Sequence, residues 1–140
     1  MDDQPAQGVL ASRDRTRPLG ALNLLKFRPA AVYEPGSGDV PCSGAEAYSR
    51  YASRVSPLLE ELGARVILTG KLWLIERPGE WDAAFVVYYP SGDAFVSLTR
   101  DPAYRRIAHH RTAALADSRL LVLDFDDRWL DDLGQPTGLT

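Results

Sequence analysis

LGALNLLKFRP, residues 19–29, reads as a strand with apolar side chains on both faces and two polar residues, Asn23 and Lys26, set into it. Alternation puts Leu19, Ala21, Asn23, Leu25 and Phe27 on one side and Leu22, Leu24 and Lys26 on the other. A strand that is apolar on both sides must be covered on both sides. The cover decides the fold, and the two polar residues pose the functional question.

Residues 29–44, PAAVYEPGSGDVPCSG, are rich in Pro and Gly and too long for an ordinary turn, which leaves an ordered functional loop or a mobile one. Ser43 with Glu46 forms a capping-box pattern, and Ala47, Tyr48, Tyr51, Val55, Leu58, Leu59 and Leu62 follow at helical spacing. Pro57 predicts a kink or a restart of that helix, and Gly63 its C-terminal cap. The run 64–76, ARVILTGKLWLIE, predicts a second strand with a bulge or close approach at Gly70. RPGE at 77–80 is a turn, and WDAAFVVYYP at 81–90 is the third strand of the resulting hairpin. Ser91 caps a short helix, Asp101 and Pro102 open a second helical segment, and RLLVLDF at 119–125 is the last strand.

The order βαββαβ is the α+β, ferredoxin-like split βαβ arrangement. Residues 1–18 are expected to be a flexible N-terminal tail and 19–126 the domain. Residues 127–140 are expected to be a C-terminal tail, partly docked through the spacing of Phe125, Trp129 and Leu133. The helices cover only one sheet face, so the other predicts a homodimer with sheets facing each other. With 16 Lys and Arg scattered along the chain and a net charge of −3, no nucleic-acid partner is expected. The apolar runs fall far short of the roughly 20 residues of a membrane span, and no signal core is visible, so a cytoplasmic protein without membrane contact is expected. Cys42, the one cysteine, is read as a spectator. No phosphate loop, nicotinamide fingerprint, nucleophile elbow or Cys and His metal spacing occurs, so neither metal nor cofactor is expected.

The catalytic candidates are Asn23, Asp82, Arg111 and His110. Asn23 either holds a substrate carbonyl or caps a loop or dimer contact. Asp82 is either a proton-transfer group or a carboxylate that fixes the hairpin through backbone N–H groups. Arg111 shares a helix face with Tyr104, Ile107, Ala108 and Leu115. A guanidinium on that buried side requires Asp82, Asp117 or a ligand carboxylate as partner. His110, one residue before it, points elsewhere, nearer the rim, and titrates near neutrality. The binding candidates are Tyr48, Tyr51, Trp81 and Tyr89 as flat walls and Lys26, whose alternative is a solvated strand end.

NLLKFRP, AVYEPG, SGAEAYSRYASRVSPLLEELGARVILTG, WDAAFVVYYPSGDAF and DPAYRRIAHHRTAALADSRLL occur in this order and spacing. Over residues 19–125 the chain resembles the Domain of Unknown Function 1330 family of the dimeric α+β barrel superfamily. The resemblance implies a ferredoxin-like protomer, a homodimer and a cavity between sheet and helices. It leaves the reaction open. Cofactor-independent chemistry on an aromatic or polyketide-like carbonyl compound (isomerase, cyclase, dehydratase or monooxygenase type) stands beside a non-catalytic ligand-binding or stress-associated role.

Overall fold

A computed structural model describes residues 8, 10–11 and 13–125. Strand β1 (Leu19–Phe27) is followed by helix α1 (Gly44–Glu61), β2 (Arg65–Lys71) and β3 (Ala83–Tyr89). Helices α2 (Gly92–Arg100) and α3 (Pro102–Ala114) lead into β4 (Leu115–Asp124). The sheet order is β2-β3-β1-β4 with every pairing antiparallel, the ferredoxin-like arrangement. Among the described residues no helix is long and apolar enough to cross a membrane.

The capping signals act as their chemistry requires. Ser43 Oγ accepts from the Glu46 N–H at 3.0 Å, and Glu46 Oε1 accepts from the Ser43 N–H at 3.4 Å. Gly63, at φ +73°, donates to Glu60 O while Ala64 donates to Leu59 O, the paired bonds of a Schellman ending. The α1 helix runs on through Pro57 and does not restart there. Asp101 ends α2 and caps α3, its carboxylate accepting from the Ala103 N–H at 2.8 Å.

Three expectations are corrected. The 1–18 tail is not free along its described part: Leu10 is 1% exposed within the main core. Arg17 O and Arg15 O accept from the Gly92 and Asp93 N–H groups, two of the orphan donors that open α2. The second strand stops at Lys71, and its bulge falls between Val66 and Leu68, whereas Gly70 has open space around it. The last strand begins at Leu115, because Ser118 and Asp117 already pair with Leu25 and Lys26. The C-terminal docking expected for Trp129 and Leu133 lies outside the described residues. Phe125 itself sits over Gly20, where a Cβ would meet the ring at 2.8 Å.

Helices α1, α2 and α3 lie on one sheet face. On that side Leu19, Ala21, Asn23 and Leu25 are buried, joined by Val87 and Tyr89 of β3 and by Tyr51, Val55 and Leu59 of α1. The opposite face carries Leu22, Leu68, Val86, Leu121 and Leu123, with Leu68 66% and Leu121 44% exposed. The 28–43 loop is tied down at its base: Arg28 N donates to Ala114 O, Val32 N to Ala113 O, Ala31 N to Cys42 O and Gly44 N to Arg28 O. At Gly44 an added Cβ would stand 2.1 Å from Arg28 O and 2.7 Å from Ala114 O, both backbone atoms that cannot step aside. Gly44→Ala is therefore expected to lose about 2 kcal/mol or more of unfolding free energy in urea. An unchanged midpoint would show that the loop base is not close-packed.

Candidate functional site

The sheet and the helices enclose a cavity of about 320 Å³. Its wall from α1 is Tyr48, Tyr51, Ala52 and Val55, and α2 contributes Phe95 and Leu98. Tyr104 and Arg111, seven residues apart and thus on one face of α3, close another side. Ala21 and Asn23 of β1, Phe85, Val87 and Tyr89 of β3 and Leu120 of β4 form the floor. Val66 and Thr69 both reach it, although residues three apart in a regular strand face opposite ways; the bulge at Ile67 turns them to the same side.

The aromatic lining is continuous. Tyr48 lies 5.3 Å from Tyr51 and 6.2 Å from Phe85 between ring centroids, and Tyr51 meets Tyr104 edge-on at 6.2 Å. Tyr51 Oη donates to Tyr104 Oη at 3.3 Å. Burial pushes the phenols of Tyr48, Tyr51 and Tyr89 above their ordinary range; at Tyr48 the Arg111 charge and hydrogen bond pull the other way without reversing it. These hydroxyls are neutral hydrogen-bonding groups at neutral pH.

Two polar groups stand out in this lining. Asn23, 7% exposed, donates from Nδ2 to Ala21 O at 3.1 Å, and its carbonyl oxygen has no partner among the described residues. Arg111 is the one cation in the wall among the described residues. Asp82 and Asp117, the carboxylates that could have answered it, are engaged elsewhere. Asp82 holds Lys26 Nζ at 3.2 Å, and Asp117 holds Arg119 at 2.6 Å. No carboxylate among the described residues pairs with Arg111. Arg111 is half-buried and stands in the last turn of α3, at the negative end of the helix dipole.

Four other candidates lie away from the cavity. Asp82 accepts from the Phe27 N–H at 2.9 Å, and Lys26 Nζ also donates to Gly79 O at 2.7 Å, so the pair clasps the hairpin to the end of β1. Trp81 is buried under the Arg119 guanidinium, 5.2 Å from its ring. His110 is not at the rim: it is 5% exposed, and its Nδ1 stands 2.8 Å from Tyr33 Oη. Burial and then His109 hold His110 below the ordinary imidazole range, against the upward pull of Asp39. Tyr104 was missed as a site residue, although its spacing from Arg111 was visible.

Residues 38–125 match the family described as Domain of unknown function (DUF1330), and the chain belongs to it. It is similar to a protein of unknown function from Rhodopseudomonas palustris, with 37% identity over 89% of this chain and 94% of that one, at a TM-score of 0.76. A dimeric protein of unknown function and ferredoxin-like fold from Bacteroides fragilis shares the fold at 14% identity, 77% and 96% coverage and a TM-score of 0.51. So does a hydroxynitrile lyase from Passiflora edulis, at 9% identity, 80% and 96% coverage and a TM-score of 0.54. No curated protein is significantly similar to the chain.

The three raised phenol pKa values fix the sign of a pH effect. The folded state keeps these protons while the unfolded chain releases them near pH 10, so stability is complete below about pH 10 and falls as the pH rises beyond it. Denaturant unfolding across roughly pH 9 to 11 should show a gentler fall for Tyr48→Phe than for the parent chain. Parallel curves would mean that Tyr48 is solvated.

Proposed function

We propose that this member of a family without a settled reaction binds a small, largely apolar molecule bearing an anionic group, with Arg111 as the anion anchor. The observation that carries the reading is the Arg111 guanidinium in an aromatic cavity with no carboxylate partner among the described residues. Asn23 supplies a second polar contact from the floor, and the tyrosine rings suit a flat ligand. A volume of about 320 Å³ lies near the lower end of small-molecule sites, which favours a compact ligand.

Binding is favoured over turnover because no carboxylate or imidazole lines the cavity among the described residues. Asp82 and His110, the candidates for proton transfer, are committed to Lys26 and Tyr33. A cofactor-independent enzyme on a carbonyl compound would draw on Asn23 and Arg111 to hold an oxyanion, and would need a base from the substrate itself. Calorimetric titration with small aromatic carboxylates such as benzoate and salicylate tests the anchor. Arg111→Met should weaken binding at least tenfold while the melting temperature stays level, since a half-buried cation without a carboxylate partner among the described residues is removed. Unfolding of this variant under conditions where the parent is folded would assign Arg111 to the scaffold instead of to a ligand.

The outer sheet face supports a homodimer. Leu22, Leu68, Leu121 and Leu123 form an apolar surface on the side that carries no helix among the described residues, and the Bacteroides fragilis protein of similar fold is described as dimeric. Light scattering at micromolar concentration should return twice the chain mass; the mass of one chain would refute the assignment.

A further inference from the structure

Outside the cavity, the 28–43 loop folds back over α3 and brings Asp39 to two adjacent histidines. Asp39, His109 and His110 each offer a ligand atom, and the three atoms lie within 4.8 Å of one another. The His109 and His110 rings are 4.0 Å apart between centroids.

The hydrogen bonds decide what this cluster requires. His109 Nδ1 stands 3.1 Å from Arg106 O, and a carbonyl only accepts, so Nδ1 carries the proton. In neutral His109 that leaves the lone pair on Nε2, which faces Asp39 Oδ2 at 3.2 Å; in the imidazolium a second proton fills that line. Two lone pairs at this distance repel unless a positive particle lies on their line. A backbone carbonyl on the far nitrogen is also the partner that orients a metal-ligating histidine. His110 Nδ1 contacts Tyr33 Oη, which also accepts from Arg50 at 3.2 Å; the tautomer with Nδ1–H donating to that hydroxyl leaves Nε2 as the ligand atom. Asp39 is held by its own loop, its N–H donating to Ser37 Oγ.

We propose that Asp39, His109 and His110 form a binding site for a divalent transition-metal ion of the zinc type. Two imidazoles and one carboxylate suit such an ion, with the remaining position left to water. Ligand atoms of a tetrahedral zinc stand about 3.4 Å apart. The His109 to Asp39 gap already matches that, and the half-exposed His109 ring has room to close the rest. The site opens to solvent on a different face of α3 from Arg111, so it is independent of the cavity.

The test titrates the full chain with Zn²⁺ alone by calorimetry, and with Co²⁺ by visible absorption, at pH 7.5 in a non-chelating buffer. One equivalent per chain is expected, with affinity lowered about 10- to 100-fold in Asp39→Asn and in His109→Gln and more modestly in Tyr33→Phe. Circular dichroism of these variants should match the parent, because Asp39 and His109 lie outside the core. Absence of saturable binding, or binding unchanged in Asp39→Asn, would overturn the site. So would nitrogen-15 spectra showing both His109 nitrogens protonated in the presence of excess Zn²⁺, because a proton would then fill the gap.

Discussion

Strand β1 is hydrogen-bonded along one edge to β3 and along the other to β4, and it carries apolar side chains toward both faces. Its backbone polar groups are paired within the sheet, so its side chains are held in fixed directions. Leu19, Ala21 and Leu25 bind the helices to the sheet, and Asn23 is carried into the cavity at the same register. Leu22 and Leu24 present the other face. The end of the strand is locked by Asp82, which takes the Phe27 N–H and the Lys26 ammonium together. Asn23 and Lys26 thus answer different needs: one belongs to the cavity, the other to the clasp that sets the hairpin.

The cavity results from how the bulky residues are distributed. Ala21 and Ala52 leave space where larger side chains would fill the core, and the rings of Tyr48, Tyr51, Tyr104 and Phe85 stand around it. Desolvation keeps the phenols protonated, so the walls offer neutral hydroxyls that donate and accept hydrogen bonds. In that setting Arg111 is the dominant charge. A guanidinium stays charged even where it is half-buried, which makes an anion from elsewhere the natural complement.

The α+β class, the element order and the helix caps at Ser43, Gly63 and Asp101 were legible because each rests on local periodicity or turn chemistry. Strand and helix parity groups Asn23 with Ala21 and Leu25, Tyr89 with Phe85 and Val87, and Arg111 with Tyr104, and all of these but Leu25 line the cavity with Tyr48 and Tyr51; parity did not say which sheet face the helices would cover. The placement of Trp81 and Asp82 was not legible, because they precede β3, where alternation no longer fixes direction. The His110 environment was hidden for a different reason. Asp39 and Tyr33 reach it only through the fold of the 28–43 loop, and no sequence spacing joins residue 39 to residue 110. Leu10 was lost in a polar stretch, where one apolar residue gives no period to read.

A crystal structure of the full chain grown with a small aromatic carboxylate measures the central claim directly, because it places atoms around Arg111. The account predicts the ligand carboxylate within hydrogen-bond distance of the guanidinium, its ring among Tyr48, Tyr51 and Phe85. A protein carboxylate paired with Arg111, from this chain or a partner subunit, would contradict it and make the cation part of the scaffold.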